Sequence, residues 1–92
     1  MALEREEGLR GTMISTLDSR IPSHVALALK FAEDSSTEVR RETLQLLDRA
    51  QSQSWNTDVF NVIRKAACED PDLAVRSAGL TALRYVAAFQ RT

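Results

Sequence analysis

Apolar residues recur three and four positions apart along nearly the whole chain, and no segment alternates with period two. That spacing places them on one face of an α-helix. Val39, Thr43, Leu44, Leu46, Leu47 and Ala50 make one stripe, with Arg41, Gln45, Asp48, Arg49 and Ser52 on the opposite side. Val59, Val62, Ile63, Ala66 and Ala67 make a second, and Val75, Ala78, Gly79, Leu80, Ala82, Leu83 and Val86 a third. Start and stop signals divide the chain into about five helices. The first spans about 3–17 and is closed by Asp18-Ser19-Arg20. The second begins at Pro22, whose missing N–H costs nothing in a first helical turn, and runs to about Glu33. The third starts within Asp34-Ser35-Ser36, with Ser35 and Glu38 at capping-box spacing, and ends near Gln51 before the polar Ser52-Gln53-Ser54. The fourth runs from about Thr57 to Glu69. The fifth is expected to start with Asp70 as N-cap and Pro71 at the first helical position, and to reach about Phe89. The fold class predicted is all-α, in a single domain over 1–92.

The chain also repeats itself. Asp34, Val39, Arg40, Leu44 and Leu47 recur as Asp70, Val75, Arg76, Leu80 and Leu83, an offset of 36. A third copy lies 30 residues upstream, where Glu4, Leu9, Arg10, Ile14, Leu17 and Asp18 match Asp34, Val39, Arg40, Leu44, Leu47 and Asp48. Every odd-numbered helix therefore opens with an acid and carries an arginine six residues later: Glu4/Arg10, Asp34/Arg40 and Asp70/Arg76. A carboxylate at a helix start complements the helix dipole and accepts its free N–H groups. An arginine one and a half turns on, beside the apolar stripe, can reach a carboxylate or carbonyl of an adjoining turn. Such arginines predict a ladder linking successive units.

A second helix reading Asp-x5-Arg, with valine before the arginine and leucines after it, resembles the HEAT-repeat family. Asp70–Leu83 is the nearer match and Asp34–Leu47 the second, while the N-terminal copy departs in Glu4 and Gly11. The resemblance covers the chain as about two and a half repeats: a lone second-type helix at 3–17, a hairpin at 22–51 and a hairpin at 57–90. It implies a short right-handed α-α superhelix, HEAT-like, of about five helices in antiparallel hairpins. It also implies a binding scaffold with the second-type helices on the concave side.

Composition removes most other functions. With 12 basic and 13 acidic residues, net charge −1, the chain lacks the excess cation of a nucleic-acid binder. Arg40, Arg41, Arg49, Arg76, Arg84 and Arg91 lie on the later odd-numbered helices, but Glu42 and Asp48 interrupt that stripe. One cysteine and one histidine allow no disulfide framework and no thiolate or multi-histidine metal site. Cys68, at the end of an apolar stripe, is expected to be a buried structural thiol, and His24 a surface or helix-end residue. No Gly-rich phosphate loop occurs. No run of about 18 apolar residues spans a membrane, and the charged first residues form no signal peptide, so the expected setting is cytoplasmic.

The function expected is therefore non-enzymatic protein–protein interaction, with no cofactor. The partner-binding residues would be Arg41, Gln45, Asp48, Ser77, Thr81 and Arg84, the exposed ridge continuing Ser15 and Asp18, with Asp48 near Arg84. The alternative is a regulatory or lyase-associated HEAT-like subunit, which would bind a tetrapyrrole. A nucleic-acid-binding HEAT-like domain ranks behind it. The last helix stays apolar to its end, and Tyr85 and Phe89, four apart, are expected to form an association face for another copy of the chain, a partner or further repeats. The competing reading folds both rings under the Trp55 connector.

Overall fold

The computed structural model describes the backbone of residues 2–53 and 56–90, and the side chains within 9–53 and 56–84. The described residues form α1 (Ala2–Thr16), α2 (Pro22–Lys30) continued by a 3-10 turn (Phe31–Glu33), α3 (Thr37–Gln53), α4 (Thr57–Glu69) and α5 (Leu73–Gln90). No strand occurs among them, and the all-α class stands.

Local chemistry sets the ends. Pro22 takes the first helical position of α2. Asn56 Oδ1 accepts from the Asp58 and Val59 amides at the start of α4. Two expected caps are displaced. The N-terminus of α3 is capped by Ser36, whose hydroxyl accepts from Val39 N, rather than by Ser35. The N-terminus of α5 is capped by Asp72, whose carboxylate accepts from Ala74 and Val75, rather than by Asp70. Asp34 and Asp70 lie two residues earlier, each accepting the amide of the true cap at 2.9 Å. Pro71 consequently belongs to the connector and not to α5. The shift has a tertiary cause: both aspartates are held by arginines of the preceding odd-numbered helix.

Helix α3 lies between α1 and α5 in one layer, with α2 and α4 in the other. The layer of odd-numbered helices is parallel and in register. Arg40, near the start of α3, bonds Asp70 just before α5, and Gln51 near its end donates to the Ala82 carbonyl of α5 at 2.9 Å. Arg10 of α1 likewise reaches Asp34 just before α3. Between the layers the core is Val25 and Ala28 from α2, Leu44, Leu46, Leu47 and Ala50 from α3, Val59 and Ile63 from α4, and Val75 and Ala82 from α5. The α3 stripe is buried throughout, Thr43 included, its hydroxyl donating to the Val39 carbonyl. The α5 stripe is buried at Val75, Gly79 and Ala82 but not at Leu80, which is 53% exposed.

Candidate functional site

Three surfaces carry polar chemistry: the connectors ahead of α3 and α5, the outward face of the α1, α3 and α5 layer, and a groove between α2 and α4.

The connectors hold the ladder. Arg10 donates from Nη2 to Asp34 Oδ1 at 2.9 Å, with its Nε 2.6 Å from Oδ2. Arg40 engages Asp70 in the same side-on fashion, Nε to Oδ2 at 2.9 Å and Nη2 to Oδ1 at 3.3 Å. From its other side Arg40 donates to the carbonyl of Asp34, six residues back, at 2.8 Å. Arg76 makes the matching bond to the carbonyl of Asp70, also at 2.8 Å. The rungs therefore run Arg10, Asp34, Arg40, Asp70, Arg76. The Arg40–Asp70 pair is the more enclosed, its side chains 13% and 7% exposed.

Three carboxylates here and nearby titrate low. Burial raises the Asp34 carboxyl, but the Ser36 amide and the Arg10 guanidinium together outweigh it and leave its pKa below the ordinary value. Asp18, bonded through its side chain by Arg20, is held at about 2. Glu33 is lowered by its bond from Lys65 across the groove rim. A depressed carboxylate stabilises the fold above its unfolded pKa, and that stabilisation is lost as pH falls through the folded value. The thermal midpoint should therefore be nearly flat from neutral pH down to about 5 and should fall steadily from there toward about 2. Calorimetric scans across that range check it; a midpoint that rises on acidification would contradict the assignment.

On the outward face, Gln45 of α3 and Ser77, Thr81 and Arg84 of α5 are exposed, and Arg41 and Asp48 are half-buried. Ser15 is exposed and Asp18 half-buried on the α1 side. Arg41 pairs with Glu38 one turn before it. Asp48 accepts weakly from Gln51 Nε2, at 3.4 Å, and forms no ion pair with Arg84. Arg84 has no ion pair among the described residues. Tyr85 and Phe89 lie on α5, but their side chains, like all of Trp55, fall outside the described residues.

The groove was not anticipated from sequence. Leu29 and Ala32 on one side and Val62 and Ala66 on the other line an opening of about 410 Å³, whose lining also includes Arg40 and Asp70. All four of these apolar residues are half-buried, and of these Val62 and Ala66 belong to the α4 stripe, where periodicity alone cannot distinguish a covered residue from an uncovered one.

The two single residues resolve differently. His24 is a helix-end residue: its Nδ1 accepts the Asp18 backbone N–H at 2.9 Å and ties the α1–α2 turn to α2. Cys68 is exposed, contrary to the buried thiol expected, because it follows Ala67 on the side of α4 turned away from α5. Among the described residues no group of three His, Cys, Asp or Glu side chains could hold a metal ion. Nor is any described helix long and apolar enough to cross a membrane. No protein-family model, no curated protein and no solved structure matches the chain.

Proposed function

We propose that the chain is a non-enzymatic protein-interaction module of HEAT-like, right-handed superhelical architecture, acting in the cytoplasm and meeting its partner with the outward face of α3 and α5. The observation that carries this reading is the pairing of two parallel, in-register helices that both turn polar side chains outward. Gln45, Ser77, Thr81 and Arg84 are exposed together, with Arg41 and Asp48 beside them. Parallel helices at a fixed register present such residues as a rigid two-dimensional array, so little side-chain-bearing backbone has to be ordered on binding. The array is mixed in charge, with Arg84 lacking an ion pair among the described residues and Asp48 only weakly engaged, which suits a protein surface carrying both signs rather than a phosphate backbone.

The test is charge reversal. Arg41→Glu with Arg84→Glu should weaken binding to a captured partner by about tenfold or more. Its thermal stability should change little, since both positions lie outside the core and the lost Arg41–Glu38 pair is a one-turn surface pair of a few tenths of a kcal/mol. Unchanged binding by a folded double variant would refute the assignment of this face.

A further inference from the structure

The repeated positions do not have the same environment in each unit, and the differences are systematic. Ile14, Leu44 and Leu80 are equivalent by the offsets of 30 and 36. Ile14 and Leu44 are 2% and 1% exposed, whereas Leu80 is 53% exposed. Ile14 belongs to α1, which has no helix before it in the described chain, yet it is covered. Leu80 belongs to α5, which has no described helix after it, and it is not. This position is therefore covered by whatever follows. The position one before the arginine behaves in the opposite sense: Leu9 is 68% exposed, while Val39 and Val75 are 1% and 0% exposed. It is covered by whatever precedes.

The arginines report the same asymmetry independently. Arg10 and Arg40 each hold the carboxylate ahead of the next odd-numbered helix. Arg76 is half-buried and bonds only the carbonyl behind it, so its rung lacks a carboxylate among the described residues. Among the described side chains, four of the five large exposed apolar residues fall on the two edge helices of the layer: Leu9 and Met13 on α1, Leu73 and Leu80 on α5. Spacings of four and seven put each pair on one helical face. Charge differs between these edges in a complementary sense. By sequence, α5 contains Arg76 and Arg84 and no acid, while the start of α1 carries Glu4, Glu6 and Glu7 against Arg5. Glu4 stands at the repeat offset of Asp34 and Asp70, although α1 already begins at Ala2 whereas those two aspartates precede their helices.

We propose that copies of this chain associate head to tail, the α5 edge of one copy taking the α1 edge of the next. The contact continues across copies the same apolar cover and arginine–carboxylate rung that join α1 to α3 and α3 to α5 within one copy. It centres on Leu9, Met13, Leu73, Leu80 and Arg76 rather than on Arg41, Gln45 and Thr81, with Arg84, four residues from Leu80, bordering both surfaces. Substitutions at Leu9 and Leu80 therefore test it without altering the charges of the partner-binding face. Because the two surfaces differ, the association is heterologous and does not close at a dimer. Additional copies extend it.

Sedimentation equilibrium of the full chain at micromolar to millimolar concentration tests this. The average mass should climb with concentration past that of a dimer without a plateau, and rise less at high salt, which screens the rung. Leu80→Glu blocks one edge and Leu9→Glu the other; both residues are exposed, so helicity and thermal midpoint should be retained by circular dichroism. Each variant should lower the association constant by about tenfold or more, because burial would strand an unpaired carboxylate. An equimolar mixture of the two should restore association but stop at a dimer, since the mixture retains one intact edge of each kind. A wild-type chain that stays monomeric at millimolar concentration would overturn the proposal. So would a mass that saturates at a dimer, or two blocked variants that fail to pair with each other.

Discussion

Arg40→Ala is expected to lower the thermal midpoint by roughly 12–24 °C, the consequence of losing about 3 kcal/mol in a domain of this size. The substitution removes both bonds to the Asp70 carboxylate and the bond to the Asp34 carbonyl. It leaves Asp70, 7% exposed, as a buried charge whose remaining described bond is from the Asp72 amide. Most of the cost is that stranded carboxylate rather than the favourable worth of the pair. Arg76→Ala is the internal comparison: it loses one bond to a carbonyl and strands no charge, so about 1 kcal/mol is expected. Arg40→Lys should fall between, keeping the charge but not the two-pronged geometry. Urea unfolding of the three variants reads the ranking directly. Equal loss at positions 40 and 76 would mean that the carboxylate half of the rung contributes nothing.

Two helical glycines, Gly79 and Gly11, should respond to alanine in opposite directions. A Cβ at Gly79 would lie 2.8 Å from the Ala67 nitrogen, 2.9 Å from its Cα and 3.0 Å from its Cβ. These are largely backbone atoms of α4, so relief requires moving one helix against the other. Gly79→Ala should cost about 1–3 kcal/mol despite the better helix propensity of alanine, and Gly79→Val more. At Gly11 the nearest atom to a new Cβ is Glu42 Oε2, at the ordinary contact distance of 3.7 Å. Gly11→Ala should therefore gain about 0.5–1 kcal/mol from propensity alone. No destabilisation at Gly79 would show that helix α4 does not approach α5 as closely as described, and destabilisation at Gly11 would show that the space beside α1 is tighter than described.

Much of the architecture was legible in the chain. The α3 stripe named core residues at every position, and the α4 stripe did so at Val59, Ile63 and Ala67. Periodicity could not tell which stripe residues end at an edge. Leu80 follows the pattern of Leu44 yet is exposed, and Cys68 continues the α4 stripe yet faces outward. The ridge of Gln45, Ser77, Thr81 and Arg84 was readable from phase as exposed, but the groove lined by Leu29, Ala32, Val62 and Ala66 arises from how α2 meets α4 and leaves no local signature.

The ladder divides along the same line. The bonds from Arg40 and Arg76 to carbonyls six residues back depend only on helical phase and on the turn before each helix, so residue spacing dictates them. The bonds from Arg10 to Asp34 and from Arg40 to Asp70 cross 24 and 30 residues and exist only because parallel helices lie in register. Those long-range pairs drew Asp34 and Asp70 away from the helix starts and passed the capping role to Ser36 and Asp72. A guanidinium offers an aspartate two charge-assisted hydrogen bonds in a partly dry connector, where they are roughly twice as strong as neutral ones. A serine hydroxyl or a second aspartate two residues on can supply the cap instead, and local propensity is too weak to resist the exchange.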